Sequence, residues 1–256
     1  MSIDYFGKDA PLVDIEEYPQ WIIYEDSDYL VLNKPAWLVC HPSKNGELSS
    51  LVGASRVYAN IDKLHLVSRL DRETSGIVIL AKHKKAASIA QRALEDRKAK
   101  KYYLTILNGN MFYKASVCQP LVKDKNSLVA IKQMCSTIKG TAKSAHTFFE
   151  PISATEKYTL CKVEILTGRK HQIRAHALWL DHYVVGDKIY GPDERLFLDF
   201  IENGFTQEIG KVLPMKRQAL HAWKLDLSQA VEKLNFTAPP TQDFVDFAQQ
   251  EGLMLP

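Results

Sequence analysis

Three short segments hold the residue types that chemistry needs. In His65-Leu66-Val67-Ser68-Arg69-Leu70-Asp71-Arg72-Glu73-Thr74-Ser75-Gly76, one carboxylate, Asp71, stands between Arg69 and Arg72 just ahead of an apolar run. Opposite charge within a few ångströms keeps an aspartate ionised even when it is partly desolvated. Such a carboxylate can act as a nucleophile or a general base. The same pattern also describes an exposed Arg-Asp pair in a turn, worth under about 1 kcal/mol, and charge pattern alone favours that plainer reading.

The second segment is Leu166-Thr167-Gly168-Arg169-Lys170-His171-Gln172-Ile173-Arg174-Ala175-His176, a strand end, a sharp turn and a helix start loaded with cationic and amide donors. Free N–H groups at a helix start, with arginine nearby, suit phosphate or carboxylate; a solvated basic helix face fits equally well. His171 and His176 lack the i, i+4 spacing of a metal pair, and no H-E-x-x-H occurs, so zinc is not indicated. A lone histidine is more often structural than a ligand. The third segment, Lys100-Lys101-Tyr102-Tyr103-Leu104-Thr105, enters a strand in which the two tyrosines must face opposite sides. One can pack in a core while the other stacks on a base, although packing alone would explain both. Nearby, Lys82, Lys84, Lys85, Arg92, Arg97, Lys98, Lys100 and Lys101 concentrate positive charge, either to track a nucleic-acid backbone or as a solvated face.

The elements that position these segments follow from pattern. Trp21 to Glu25 and Tyr29 to Asn33 read as a hairpin turned by Asp26-Ser27-Asp28, and residues 34 to 50 as an irregular loop. Ile77 to Ala81 reads as a buried strand, and Ala86, Ile89, Ala90, Ala93 and Leu94 mark a helix over 84 to 97. Strands are expected at Tyr102 to Leu107, Leu128 to Gln133, Ser144 to Glu150 and Thr159 to Leu166, then a helix carrying Ile173, Ala177 and Leu180. A helix over 194 to 203 should end at Gly204, followed by strands at 219 to 227 and 233 to 238 and a helix from near Thr241. Many strands, few helices and no βαβ alternation predict an α+β fold on a mostly antiparallel or mixed sheet with flanking helices.

The 256 residues, 46% of them hydrophobic, suffice for a large core. Residues 1–256 are read as a single domain, its core at about 20–245. The net charge of +3 leaves polyanion affinity to local placement. Cys40, Cys118, Cys135 and Cys161 show no C-x-x-C pair, which argues against a disulfide framework or zinc ribbon and for reduced thiols in the cytoplasm. No signal peptide and no membrane span is expected.

Taken together and in order, these segments resemble the RluA-type pseudouridine synthases. The resemblance runs through Asn33-Lys34-Pro35 to His41-Pro42, Arg69-Leu70-Asp71 to Ser75-Gly76, Lys101-x-Tyr103, the run from 167 to 176, Gly186-Asp187-x-x-Tyr190-Gly191, Leu220-His221-Ala222 and Phe236-x-Ala238-Pro239. It implies isomerisation of uridine in structured RNA, ribosomal or transfer, on a flipped-out base. Asp71 matches the catalytic aspartate, Tyr103 the tyrosine that stacks on the uracil, and Arg174 the residue that salt-bridges the aspartate. Arg69 matches an arginine that can fill the space of the flipped nucleotide. With it, Arg72, Thr74, Arg169, His171 and Gln172 are the expected substrate-binding residues. The resemblance implies no cofactor, no metal and no obligatory protein partner, and the chain is read as a monomer. The expectation includes no separate N-terminal RNA-binding domain. Ser68 stands where the family usually has histidine, and Trp37 where a glycine commonly follows Lys-Pro-x. The competing expectation is a non-catalytic RNA-binding or chaperone-like relative that keeps the fold. A nucleotide-dependent or hydrolytic enzyme lacks its G-x-x-x-x-G-K-[ST] or G-x-S-x-G run.

Overall fold

The computed structural model describes residues 12–41, 45–137 and 142–256. Residues 1–11 and Pro42, both used in the sequence reading, lie outside the described residues. In chain order the elements are β1 (Ile22–Glu25), β2 (Tyr29–Lys34), α1 (Leu51–Ala59), β3 (His65–Leu66), β4 (Ser75–Ala81), α2 (Lys84–Glu95) and β5 (Lys100–Asn108). Next come β6 (Ala115–Val117), β7 (Leu121–Lys123), β8 (Gln133–Cys135), β9 (Thr147–Ala154), β10 (Tyr158–Ile165) and α3 (Gln172–Trp179). The chain continues with α4 (Arg195–Asn203), α5 (Gln207–Val212), β11 (Leu220–Asp226), β12 (Asn235–Thr237) and α6 (Gln242–Gln250). It divides into two compact units, Met1–Lys101 with Ala222–Thr241, and Tyr102–His221 with Gln242–Pro256. The α+β class with mostly antiparallel strands is the one expected.

In the first unit, β1 and β2 form the expected hairpin. Its turn closes because Asp26 Oδ1 accepts the backbone N–H groups of Asp28 and Tyr29, each at 2.7 Å. Strand β4 pairs antiparallel with β2 and is buried along its whole length. The cause is its unbroken apolar run, which faces a core on each side. Ile77, Ile79 and Ala81 join Tyr29, Val31 and the alanines of α2. Val78 and Leu80 join Leu30, Leu32 and the start of α1. Helix α1 was not legible in the sequence. It opens with Ser50, whose Oγ accepts the Gly53 N–H at 3.1 Å, but it is apolar from its first residue and shows no amphipathic period.

In the second unit the strands run β5-β10-β9-β6, each pair antiparallel, with β7 and β8 as a separate hairpin. The strand expected at Leu128 to Gln133 is a correction: it starts only at Gln133. The apolar run before it imitates a strand, but Glu194 accepts the Leu128 N–H and the Ser127 hydroxyl and pairs with Lys132. Lys132 N–H then donates to the Val129 carbonyl at 2.9 Å, which closes a turn. Helix α4 ends at Gly204 as expected, at φ 71°. Among the described residues, no helix is long and apolar enough to cross a membrane.

Candidate active site

Asp71 sits half-buried in the loop between β3 and β4 of the first unit. Two clamps hold its main chain. The fully buried Lys34 ammonium donates to the carbonyls of Pro35 (2.8 Å), Leu38 (2.8 Å) and Arg72 (3.1 Å), so one charge ties the 34–38 loop to the residue after Asp71. Cys40 Sγ lies against the residue before it, 3.3 Å from Leu70 N and 3.5 Å from Leu70 O. Burial pushes the Cys40 thiol up, with Asp71 adding to the rise and Lys34 and the Leu70 N–H opposing it. The sulfur is therefore a neutral packing and hydrogen-bonding group. Downstream, Thr74 N–H donates to the Asp71 carbonyl at 3.1 Å, and the Thr74 side chain is buried. Gly76 adopts φ 109°, and a Cβ there would stand 2.3 Å from the Ala222 carbonyl oxygen. Glycine is needed on both counts.

Arg69 is exposed and Arg72 half-buried, so the clamped backbone presents side chains of both signs around one loop. Trp37 has φ 70° in the same 34–40 loop. That left-handed conformation costs a non-glycine residue about 1–2 kcal/mol.

In the second unit, Arg174 is 5% exposed and Asp187 is completely enclosed. The guanidinium donates bidentately, Nε to Oδ2 at 2.6 Å and Nη2 to Oδ1 at 2.8 Å. Asp187 Oδ1 also accepts the N–H groups of Ile189 (2.9 Å) and Tyr190 (3.0 Å). Burial pushes the Asp187 carboxyl up, but the Arg174 charge, its hydrogen bonds and the two backbone N–H groups outweigh this and leave it below the usual carboxylate range. The Arg174 guanidinium also stacks over the Tyr190 ring, 4.9 Å from its centroid. Tyr190 OH in turn accepts the Gln133 N–H at 2.7 Å and lies 3.1 Å from His171 Nδ1.

His171 is buried at the head of α3 in a left-handed conformation, φ 55°. Gln172 is buried, and its amide is engaged at all four positions. Its Oε1 accepts the Thr167 hydroxyl (2.7 Å) and the Arg169 N–H (3.0 Å), while Nε2 donates to the His146 carbonyl and to Thr147 Oγ1, each at 2.9 Å. Thr147 Oγ1 lies 2.8 Å from His176 Nδ1, and His176 Nε2 lies 2.9 Å from the Gln119 carbonyl oxygen, which can only accept. Nε2 therefore carries the proton. Burial holds His176 below the usual histidine range, with His146 adding to the effect and the Gln119 carbonyl opposing it. Arg169 Nε reaches the Ser144 carbonyl at 3.1 Å on an exposed side chain.

Tyr103 lies opposite Val163 in β10, and Tyr102 opposite Glu164, so the two rings point to opposite faces as expected. The Lys162 ammonium stands over the Tyr102 ring at 6.0 Å. Tyr103 shares its face with the buried Val163 and Cys161 and is itself half-buried. The residues that sequence reasoning gave no role are Lys34, Asp187 and Tyr190. Each was visible only as a letter in a short pattern, because its partners lie elsewhere in the chain.

Comparison with known proteins matches residues 28–179 to the family described as RNA pseudouridylate synthase. An uncharacterized RNA pseudouridine synthase of Mycoplasma pneumoniae is 35% identical over 83% of this chain and 69% of its own. Ribosomal large subunit pseudouridine synthase D of Buchnera aphidicola is 30% identical over 95% of this chain and 77% of its own. Among solved structures, the human RNA pseudouridylate synthase domain containing 4 protein superposes with a TM-score of 0.76 at 26% identity, covering 94% of this chain and 97% of its own.

Proposed function

The chain belongs to the RNA pseudouridylate synthase family, and from that premise we propose that it isomerises uridine to pseudouridine in ribosomal RNA with Asp71 as its catalytic carboxylate. The observation that carries the assignment is the double clamp on the Asp71 loop, with Lys34 at Arg72 and Cys40 at Leu70. A nucleophile gains most when its backbone cannot drift, because reaction rate falls steeply with small misplacement. The reaction breaks the glycosidic carbon–nitrogen bond, turns the uracil and joins its ring carbon to the ribose. The proton on that carbon is lost and the freed nitrogen gains one, so no redox partner or transferred group is required.

In this reading Tyr103 stacks on the uracil and Arg174 keeps Asp71 ionised. Arg69, Arg72 and Arg169 contact the RNA. Thr74, His171 and Gln172 hold the loops that present those contacts, as their burial favours. The protein acts as a monomer in the cytoplasm, consistent with its free thiols. Ribosomal RNA is preferred over transfer RNA because several relatives carry a large-subunit name. Mapping pseudouridines across total RNA with and without the protein tests this reading. A site lost from ribosomal RNA supports it, a site lost from transfer RNA moves the substrate, and an unchanged map refutes it.

A further inference from the structure

The outer face of α2 and the turn after it carry a cluster of exposed cations, of which Lys98 stands near Asp96 and Lys100 acts on Asp226. Lys84, Lys85, Arg92, Arg97, Lys98 and Lys100 are all exposed, while the opposite face of α2 packs through Ala86, Ala87, Ala90 and Ala93. Among the described residues, no carboxylate comes within salt-bridge distance of Lys84, Lys85, Arg92, Arg97 or Lys100, and Lys98 reaches only Asp96, at 3.9 Å. Glu95 and Asp96 are the acids on this stretch, so cations outnumber them.

Three of these cations stand against local preference. Lys84 and Lys85 occupy the first turn of α2, where the helix dipole disfavours positive charge by about 0.3–1 kcal/mol each. Arg97 follows the helix in a left-handed conformation, φ 58°, where glycine is the usual residue. Beside them a groove of about 210 Å³ runs between α2 and Ala230, lined by Ser88, Arg92 and Lys98 with Asp96 among them. Lys84 and Arg92 are separated by about 12 Å along the helix axis. That distance lets the face reach more than one phosphate of a nucleic-acid backbone.

We infer that this face is a second RNA contact, in which the phosphodiester backbone of the substrate seats its phosphates on Arg92 and Lys98 in the groove and on Lys84 and Lys85 beyond it. The inference rests on the RNA-modifying function proposed above. Phosphate contacts of this kind position an RNA without reading its sequence.

The test measures binding of the full-length protein to a short fluorescent RNA hairpin over a range of salt. It compares wild type with Lys84→Ala/Lys85→Ala, Arg92→Ala/Lys98→Ala and the control Lys211→Ala, which removes one cation from α5. Each double variant should weaken binding about tenfold at low salt and flatten the log–log salt slope by about 1–2, with the control unchanged. Both doubles binding within about twofold of wild type, with the same slope, would overturn the inference. So would a wild type whose binding does not depend on salt. The pseudouridine map is a separate readout, so a failure of the proposed function shows there and a failure of this surface shows in the slope.

Discussion

Replacing Asp187 by alanine should cost the fold more than any other single change at a polar residue described above. The carboxylate accepts four N–H groups, two from Arg174 and one each from Ile189 and Tyr190, inside a fully enclosed site. Breaking a buried pair by removing one partner costs about 3–5 kcal/mol, since the remaining charge is stranded. Each backbone N–H left without an acceptor adds about 1–3 kcal/mol, though these terms overlap and do not sum. The expected loss is about 5 kcal/mol, set against a typical total stability of about 5–15 kcal/mol. Asp187→Asn strands the same guanidinium but keeps one oxygen for the backbone donors, and should lose about 3–4 kcal/mol. Urea unfolding followed by tryptophan fluorescence measures both, with Trp179 at the end of α3 as a local reporter.

The pH dependence gives an independent check on the same group. The folded carboxyl lies below its ordinary value of 3.8, so the unfolded chain takes up the proton first as pH falls. The stabilisation is therefore present above that ordinary value and is lost as pH drops through the folded one; Asp187→Asn should lack this acid limb. A loss under about 1 kcal/mol for Asp187→Ala would refute the reasoning, because a charge stranded in the interior cannot be that cheap.

Three further outcomes are expected. Gly76→Ala places a methyl group 2.3 Å from the Ala222 oxygen at φ 109° and should lose at least about 3 kcal/mol by calorimetry. Lys34→Met keeps the aliphatic stem but removes the ammonium that joins three carbonyls. It should lose about 3 kcal/mol, and kcat should fall about tenfold or more, with a smaller change in KM. His176 is held below its ordinary 6.5 by burial, so the unfolded chain binds its proton first and stability should decline as pH falls beneath 6.5. In His176→Gln the urea midpoint should fall less steeply over that range.

What was legible in the sequence was whatever depends on nearest neighbours or on period. The Asp26 turn, the apolar β4 run, the helix over α2 and the Gly204 stop are all local, and the structure shows each of them. The Leu128 run misled because a distant acid, Glu194, captures its backbone, and no local pattern announces a partner 66 residues away. Helix α1 hid because its first four residues, Leu51 to Ala54, are all buried and carry no polar side chain to mark a period. Among the residues proposed for catalysis, Asp71, Tyr103 and Arg174 stood out through matching segments. Their supports did not: the link from Lys34 to Arg72 and the pairing of Arg174 with Asp187 are made by folding, and residue type alone gives no sign of them.

The most direct test of the central claim is turnover by Asp71→Asn, which preserves shape and removes the carboxylate. With purified protein and ribosomal RNA, the variant should form no pseudouridine above background while its RNA affinity stays within about twofold of wild type. Pseudouridine formation at a rate near that of wild type would contradict the assignment of Asp71 as the catalytic carboxylate.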